Sequence, residues 1–104
     1  MITAIVRFKL PAGTTSEKAT EMYRASSKKY ENLAGLVRKY YLFDPKTGEA
    51  GGVYLWTSRA AADAVYKAAW KADLTKRYGM EPQVSYFDSP VIVDNSGAKR
   101  AAAE

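Results

Sequence analysis

Residues 38–41 read Arg-Lys-Tyr-Tyr. Two cations and two phenols stand in succession. In an extended segment alternate residues face opposite sides, so Arg38 shares a face with Tyr40, and Lys39 shares the other with Tyr41. Either pair joins a positive charge that can hold an anion to a hydroxyl that can pass a proton. Which pair faces the interior depends on register, because a slip of one residue exchanges the faces. Further along, Tyr66, Trp70, Leu74 and Tyr78 stand four apart and would lie along one stripe of a helix. Trp56 closes the run Val53-Tyr54-Leu55-Trp56. Buried Tyr and Trp need partners for their polar tips, and several of them converging on one place would suit a flat aromatic ligand. The candidates are therefore Arg38, Lys39 and Tyr40 for catalysis, with Lys39 and Tyr41 replacing Arg38 and Tyr40 under the other register, and Trp56, Tyr66 and Trp70 as substrate-binding walls. The competing readings are solvated or interface charge for Arg38 and Lys39, packing between subunits for Trp56, and ordinary core for Tyr40, Tyr66 and Trp70.

Composition removes many alternatives. The chain has 104 residues, no cysteine and no histidine. Thiolate nucleophiles, disulfides, histidine triads and most transition-metal or haem sites are excluded. No carboxylate loop of EF-hand type is present, so no metal site is expected. The formal charge of +5 comes from dispersed basic pairs, Lys28-Lys29, Arg38-Lys39 and Lys76-Arg77. That pattern fits a solvated basic surface, although acidic partners would also suit it. No apolar run approaches the roughly 20 residues of a membrane span. No signal-peptide pattern precedes the first strand pattern, and cytoplasm is the expected location.

The elements that must position these residues can be read in order. Residues 2–10 alternate, with Ile2, Ala4, Val6, Phe8 and Leu10 on one face. Thr14 and Glu17 have capping-box spacing, which predicts a helix from about Thr15, with a stripe through Ala19, Tyr23, Ser26, Tyr30 and Leu33 and an end at Gly35. Gly35–Thr57 reads as strand, turn, strand, with bulky residues on both faces of both strands. Asp44-Pro45-Lys46 suits a type I turn followed by Gly48; Gly51-Gly52 suits a bulge or a close backbone approach. Ser58 predicts the cap of an alanine-rich helix ending at Gly79, with a possible break near Asp73. Residues 83–88 form a fourth strand, and Val91–Val93 a further short extended segment. One ferredoxin-like domain is expected over 1–95, with a frayed tail over 96–104. The order βαββαβ implies an α+β fold with a four-stranded antiparallel sheet and both helices on one face.

A sheet that is apolar on both faces has three uses. An RNA-binding module would stack bases on the open face, but Ala50–Trp56 lacks the leading base and aromatic spacing of that motif. A homodimer would bury two open faces against each other. A cavity between sheet and helices would hold a small ligand.

The stretch GLVRKYYLFDPKTGEAGGVYLWTSRAAADAVY, with Tyr78-Gly79 and YFDSPVIVDN at 86–95, resembles the YdhR-like monooxygenase family of the dimeric α+β barrel superfamily. The resemblance covers roughly residues 2–95. It implies a homodimer with packed sheets and a pocket between sheet and helices. It also implies a cofactor-independent monooxygenase, which oxidises small phenolic or polyketide-like aromatics with O2 and needs neither flavin, haem nor metal. In such chemistry a phenolate passes an electron to O2, while the protein binds it, helps remove a proton and steadies the anion. The alternative function is a non-catalytic dimeric protein that binds a small aromatic or acidic ligand. Neither nucleic acid nor membrane is an expected partner.

Overall fold

The computed structural model describes residues 1–96. Four strands, β1 (Ile2–Lys9), β2 (Leu36–Phe43), β3 (Glu49–Trp56) and β4 (Gln83–Asp88), form one antiparallel sheet in the order β2-β3-β1-β4. The helices α1 (Ser16–Ser27), α2 (Arg59–Val65) and α3 (Ala68–Tyr78) complete the ferredoxin-like α+β fold. The expected tail, apart from Ser96, lies outside the described residues.

Alternation does what the sequence pattern requires. Ala4, Val6, Phe8 and Leu10 are buried, as are Ala50, Tyr54 and Trp56 of β3. Pairing of Ala4 with Tyr54 and of Ile2 with Trp56 brings the two sets onto the same face, beneath the helices. Val84 and Tyr86 of β4 pair with Val6 and Ala4 and extend that face. The outer face carries Ile5, Val53 and Leu55, all half-buried, with Tyr40, Leu42 and Phe87 more exposed.

Four local expectations change. The cap of α1 is Thr15, whose hydroxyl accepts from Lys18 N at 3.1 Å, while the Thr14 hydroxyl donates to Pro11 O. The helix then tightens into one 3-10 turn at Lys28–Tyr30 and ends there, five residues before Gly35. The alanine-rich helix does begin at a Ser58 cap, but it breaks at Tyr66-Lys67 rather than near Asp73. Tyr66 has left the helical region (φ −80°, ψ 54°), and Lys67 is extended. Residues 91–96 are irregular and form no strand. Asp94 nevertheless reaches Arg38 with an ion pair of 2.7 Å, so this segment links the β4 edge of the sheet to the β2 edge.

Two glycines are needed for the backbones to meet. A Cβ on Gly51 (φ +140°) would sit 1.8 Å from Val6 O of the neighbouring strand, and one on Gly35 (φ +82°) would sit 2.4 Å from Ala61 Cβ. The register of β1 against β3 runs unbroken past Gly51, so the close approach is the role that holds, and no bulge forms there. Gly51→Ala is expected to cost more than about 3 kcal/mol or prevent folding, because positive φ and a backbone collision act together. Gly13→Ala, at φ +86° with nothing within 4 Å, carries the conformational strain alone and is expected to cost about 1 kcal/mol. Urea unfolding of the two variants checks the difference.

Candidate functional site

The register of β2 decides the site. Lys39 pairs with Tyr54, Tyr41 with Gly52 and Phe43 with Ala50, so Lys39, Tyr41 and Phe43 face the helices. An irregularity between Leu36 and Arg38 sets Leu36 opposite Trp56. Leu36 therefore joins the core, and Val37 is exposed, the reverse of simple alternation. Arg38 and Tyr40 lie on the outer face. There Arg38 donates to Tyr40 Oη at 3.2 Å and pairs with Asp94. The structure thus places Lys39 and Tyr41 inside, and Arg38 and Tyr40 outside.

Trp56, Tyr66 and Trp70 do come together. Trp56 is fully buried beneath the helices, which rules out packing between exposed sheet faces as its role. Its Nε1 donates to Tyr66 Oη at 3.1 Å, and the two rings meet edge to face. The break at Tyr66 leaves this ring 4.7 Å from Trp70, centroid to centroid. Trp70 Nε1 donates to Tyr30 Oη at 3.0 Å. Tyr54 contacts the rings of Tyr30, Trp56 and Tyr66, and so joins the cluster to Lys39.

Lys39 is half-buried, and three phenol rings surround its ammonium. Nζ lies 3.6 Å from the ring centre of Tyr30, 3.8 Å from that of Tyr41 and 4.5 Å from that of Tyr54. Gly52 makes room for it: a Cβ there would sit 3.3 Å from Lys39 Cε. No carboxylate among the described residues pairs with it; Asp73 is taken by Lys29 and Arg77. Burial, with the nearby positive charge of Lys29, lowers its pKa to about 6. The ring faces pull the other way, since a π face favours the cation. Burial likewise raises the phenols. Tyr41 rises to about 12 although its hydroxyl bonds to Ser26 Oγ at 2.7 Å, and Tyr54 and Tyr66 are also raised. These tyrosines stay neutral near pH 7 and can donate, while Lys39 can accept a proton. The space between them, about 20 Å³, is room for one water.

Tyr30, Tyr41 and Tyr54 thus belong to the site, though Tyr30 and Tyr54 were not among the candidates read from sequence. Tyr54 was within reach of that reading, since it stands two residues from Trp56 on the same strand face. Tyr30 required the fold of the first helix. Exposed aromatics on the outer sheet face sit on the two edge strands, as Tyr40 and Phe87, and not on the central pair where stacking on RNA would need them.

A sequence profile described as "Putative mono-oxygenase ydhR" matches residues 5–89. The chain belongs to this family. Membership supports a monooxygenase-like function. Among curated proteins none matches the chain. Solved structures share the fold at low identity. NE2512 from Nitrosomonas europaea, a protein of unknown function, is 18% identical, with a TM-score of 0.67 over 92% of this chain and 95% of its own. The ActVA-Orf6 monooxygenase of Streptomyces coelicolor, solved with nanaomycin D, is 14% identical, with a TM-score of 0.65 and coverage of 91% and 92%. SnoaB from Streptomyces nogalater, a cofactor-independent oxygenase, is 14% identical, with a TM-score of 0.62 and coverage of 88% and 95%. No helix among the described residues is long and apolar enough to cross a membrane.

The pKa of Lys39 has a consequence for stability. Its folded value is depressed below the unfolded value of about 10.4, so between about pH 6 and pH 10 the unfolded chain binds more protons. Stability therefore rises with pH over that window. Tyr23 and Tyr41, raised to about 12, make stability fall again above pH 10. Lys39→Met is expected to flatten the rising limb and leave the alkaline fall in place, as read from urea midpoints across pH.

Proposed function

We propose that the protein is a cofactor-independent monooxygenase that acts on small phenolic or polyketide-like aromatic compounds with O2, as a homodimer. The observation that carries this reading is the Lys39 amine, half-buried in a layer of phenol and indole rings with no acidic partner among the described residues. In its neutral form the amine accepts the proton of a phenol or enol. The new ammonium then holds the anion it has made. That anion is electron-rich enough to reduce O2 by one electron. Recombination of the two radicals forms the carbon–oxygen bond; one oxygen atom stays in the quinone, and the other leaves as water. The rings of Tyr30 and Tyr41 face Nζ, and Trp56, Tyr66 and Trp70 provide further ring faces for stacking. Because the cavity holds only about 20 Å³, an aromatic ligand enters by displacing side chains that line it, among them Leu74, Arg77 and Tyr78 of α3.

Oxygen uptake on a panel of hydroquinones and polycyclic phenols tests the activity. Turnover should rise with pH through about 6 as Lys39 loses its proton, and Lys39→Met should lower it about 10²- to 10⁴-fold. Trp70→Ala should weaken ligand binding and spare the oligomeric state. Binding without oxygen uptake across the whole panel would leave the protein a ligand-binding dimer and end the enzyme reading.

The dimer is supported by the outer sheet face, where Ile5, Val53, Leu55, Leu42 and Phe87 form an apolar surface opposite the helices. Two such faces packed together close the sheet into a two-subunit barrel. Light scattering after size exclusion should give twice the monomer mass, and Val53→Lys should give the monomer with its helical content intact.

A further inference from the structure

We propose that the groove between α1 and the hairpin end of β2 binds a planar aromatic carboxylate. The site is separate from the Lys39 layer and stands without the oxidation proposed above, since it needs no turnover. Residue size explains why the groove exists. Ser16, Ala19 and Thr20, small residues on the first turns of α1, line one space with Phe43 of β2. Further along the helix Tyr23 fills the gap and stacks on Tyr41, with ring centres 4.6 Å apart. The space left open is about 390 Å³, within the roughly 300–1,000 Å³ of small-molecule sites. The layer around Lys39 leaves about 20 Å³. A flat ring thus fits the groove without displacing any side chain. The phenol rings of Tyr23 and Tyr41 and the phenyl ring of Phe43 offer it aromatic surface.

Charge selects the class of ligand. Arg24 is the one charged residue that lines the groove, and no carboxylate lines it. Arg24 has no ion-pair partner among the described residues, and the acid three residues before it, Glu21, pairs with Lys18 at 3.7 Å. The hydroxyl protons nearby are already committed to backbone carbonyls. Thr20 donates to Ser16 O at 2.8 Å, Tyr23 to Leu42 O at 2.8 Å and Ser27 to Arg24 O at 2.9 Å. Arg24 is therefore the principal donor for an anion here, and its planar fork matches a single carboxylate. A phosphate, with a third oxygen and more charge to satisfy, finds no second cation in the groove.

The experiment is a titration of the full chain with 2-naphthoate, followed by amide NMR. Saturable shifts should fall in Ser16–Ser27 and at Tyr41 and Phe43. Arg24→Gln changes an exposed helix position and should weaken binding by about tenfold or more while the spectrum stays that of the folded protein. The uncharged 2-naphthamide should bind about tenfold more weakly than the acid and should not distinguish the two proteins. Thr20→Trp, also at an exposed position, should fill the groove and abolish binding. Shifts confined to Tyr30 and Ala68–Tyr78 would place the ligand in the Lys39 layer and overturn the proposal. Equal affinity of 2-naphthoate for the wild type and Arg24→Gln would also overturn it, as would shifts that never saturate. Displacement of 2-naphthoate by equimolar inorganic phosphate would overturn the choice of a carboxylate. Naphthoate carries no phenol to oxidise, so its binding and the uptake of oxygen on phenols stand or fall independently.

Discussion

The polar tips of buried aromatic side chains are the constraint on which this structure depends. A phenol or indole can be taken out of water cheaply only if its hydroxyl or N–H finds a partner. Between the sheet and the helices those partners are mostly other aromatics. Trp56 donates to Tyr66, Trp70 to Tyr30, and Tyr41 bonds to Ser26; Tyr23 donates to the backbone at Leu42. Among the described residues no buried side-chain polar atom lacks a partner. These bonds fix ring orientations that hydrophobic contact alone would leave loose. They also tie α1 to β2 and the end of α2 to β3, and they tie α3 to the turn after α1. The half-buried amine of Lys39 is the contrast: rings meet it by their faces, and none supplies the anion that a buried ammonium wants. The chemistry proposed for the site follows from that difference.

Small residues set how near the helices come. Ala62 is wholly buried, and Ala61 lies so close to Gly35 that no Cβ fits between them. Leucine at these positions would push α2 outward. The alanine-rich sequence is therefore the condition for Trp56 and Tyr66 to meet.

Much of this was legible in the sequence. Alternation in residues 2–10 and 53–56 identifies the buried faces of β1 and β3, because two-residue periodicity survives whenever pairing is regular. The caps at Ser58 and Gly79 were readable from residue type. The face of β2 was not, because both of its faces carry a cation, a phenol and bulky residues; irregular pairing at Leu36–Arg38 further shifts the parity of Leu36 and Val37, and nothing local marks such a shift. The break at Tyr66 was hidden for a similar reason. Tyr66, Trp70, Leu74 and Tyr78 keep helical spacing, while the backbone between the first two leaves the helix so that the Tyr66 ring can meet Trp56. The cage around Lys39 draws on α1's final turn, β2 and β3, and no window of sequence contains all three.

The interruption at Tyr66-Lys67 gives two helices of 7 and 11 residues where one of about 20 would have been possible. Neither piece is long enough to persist by itself in water. Each exists because it is laid against the sheet. The wall over the aromatic layer is thus secured from below rather than along its own length, and a lifting of α3 would forfeit its helical hydrogen bonds together with its packing. Such a lifting is a small unfolding reaction, and its frequency is written in the amide exchange of Ala68–Tyr78.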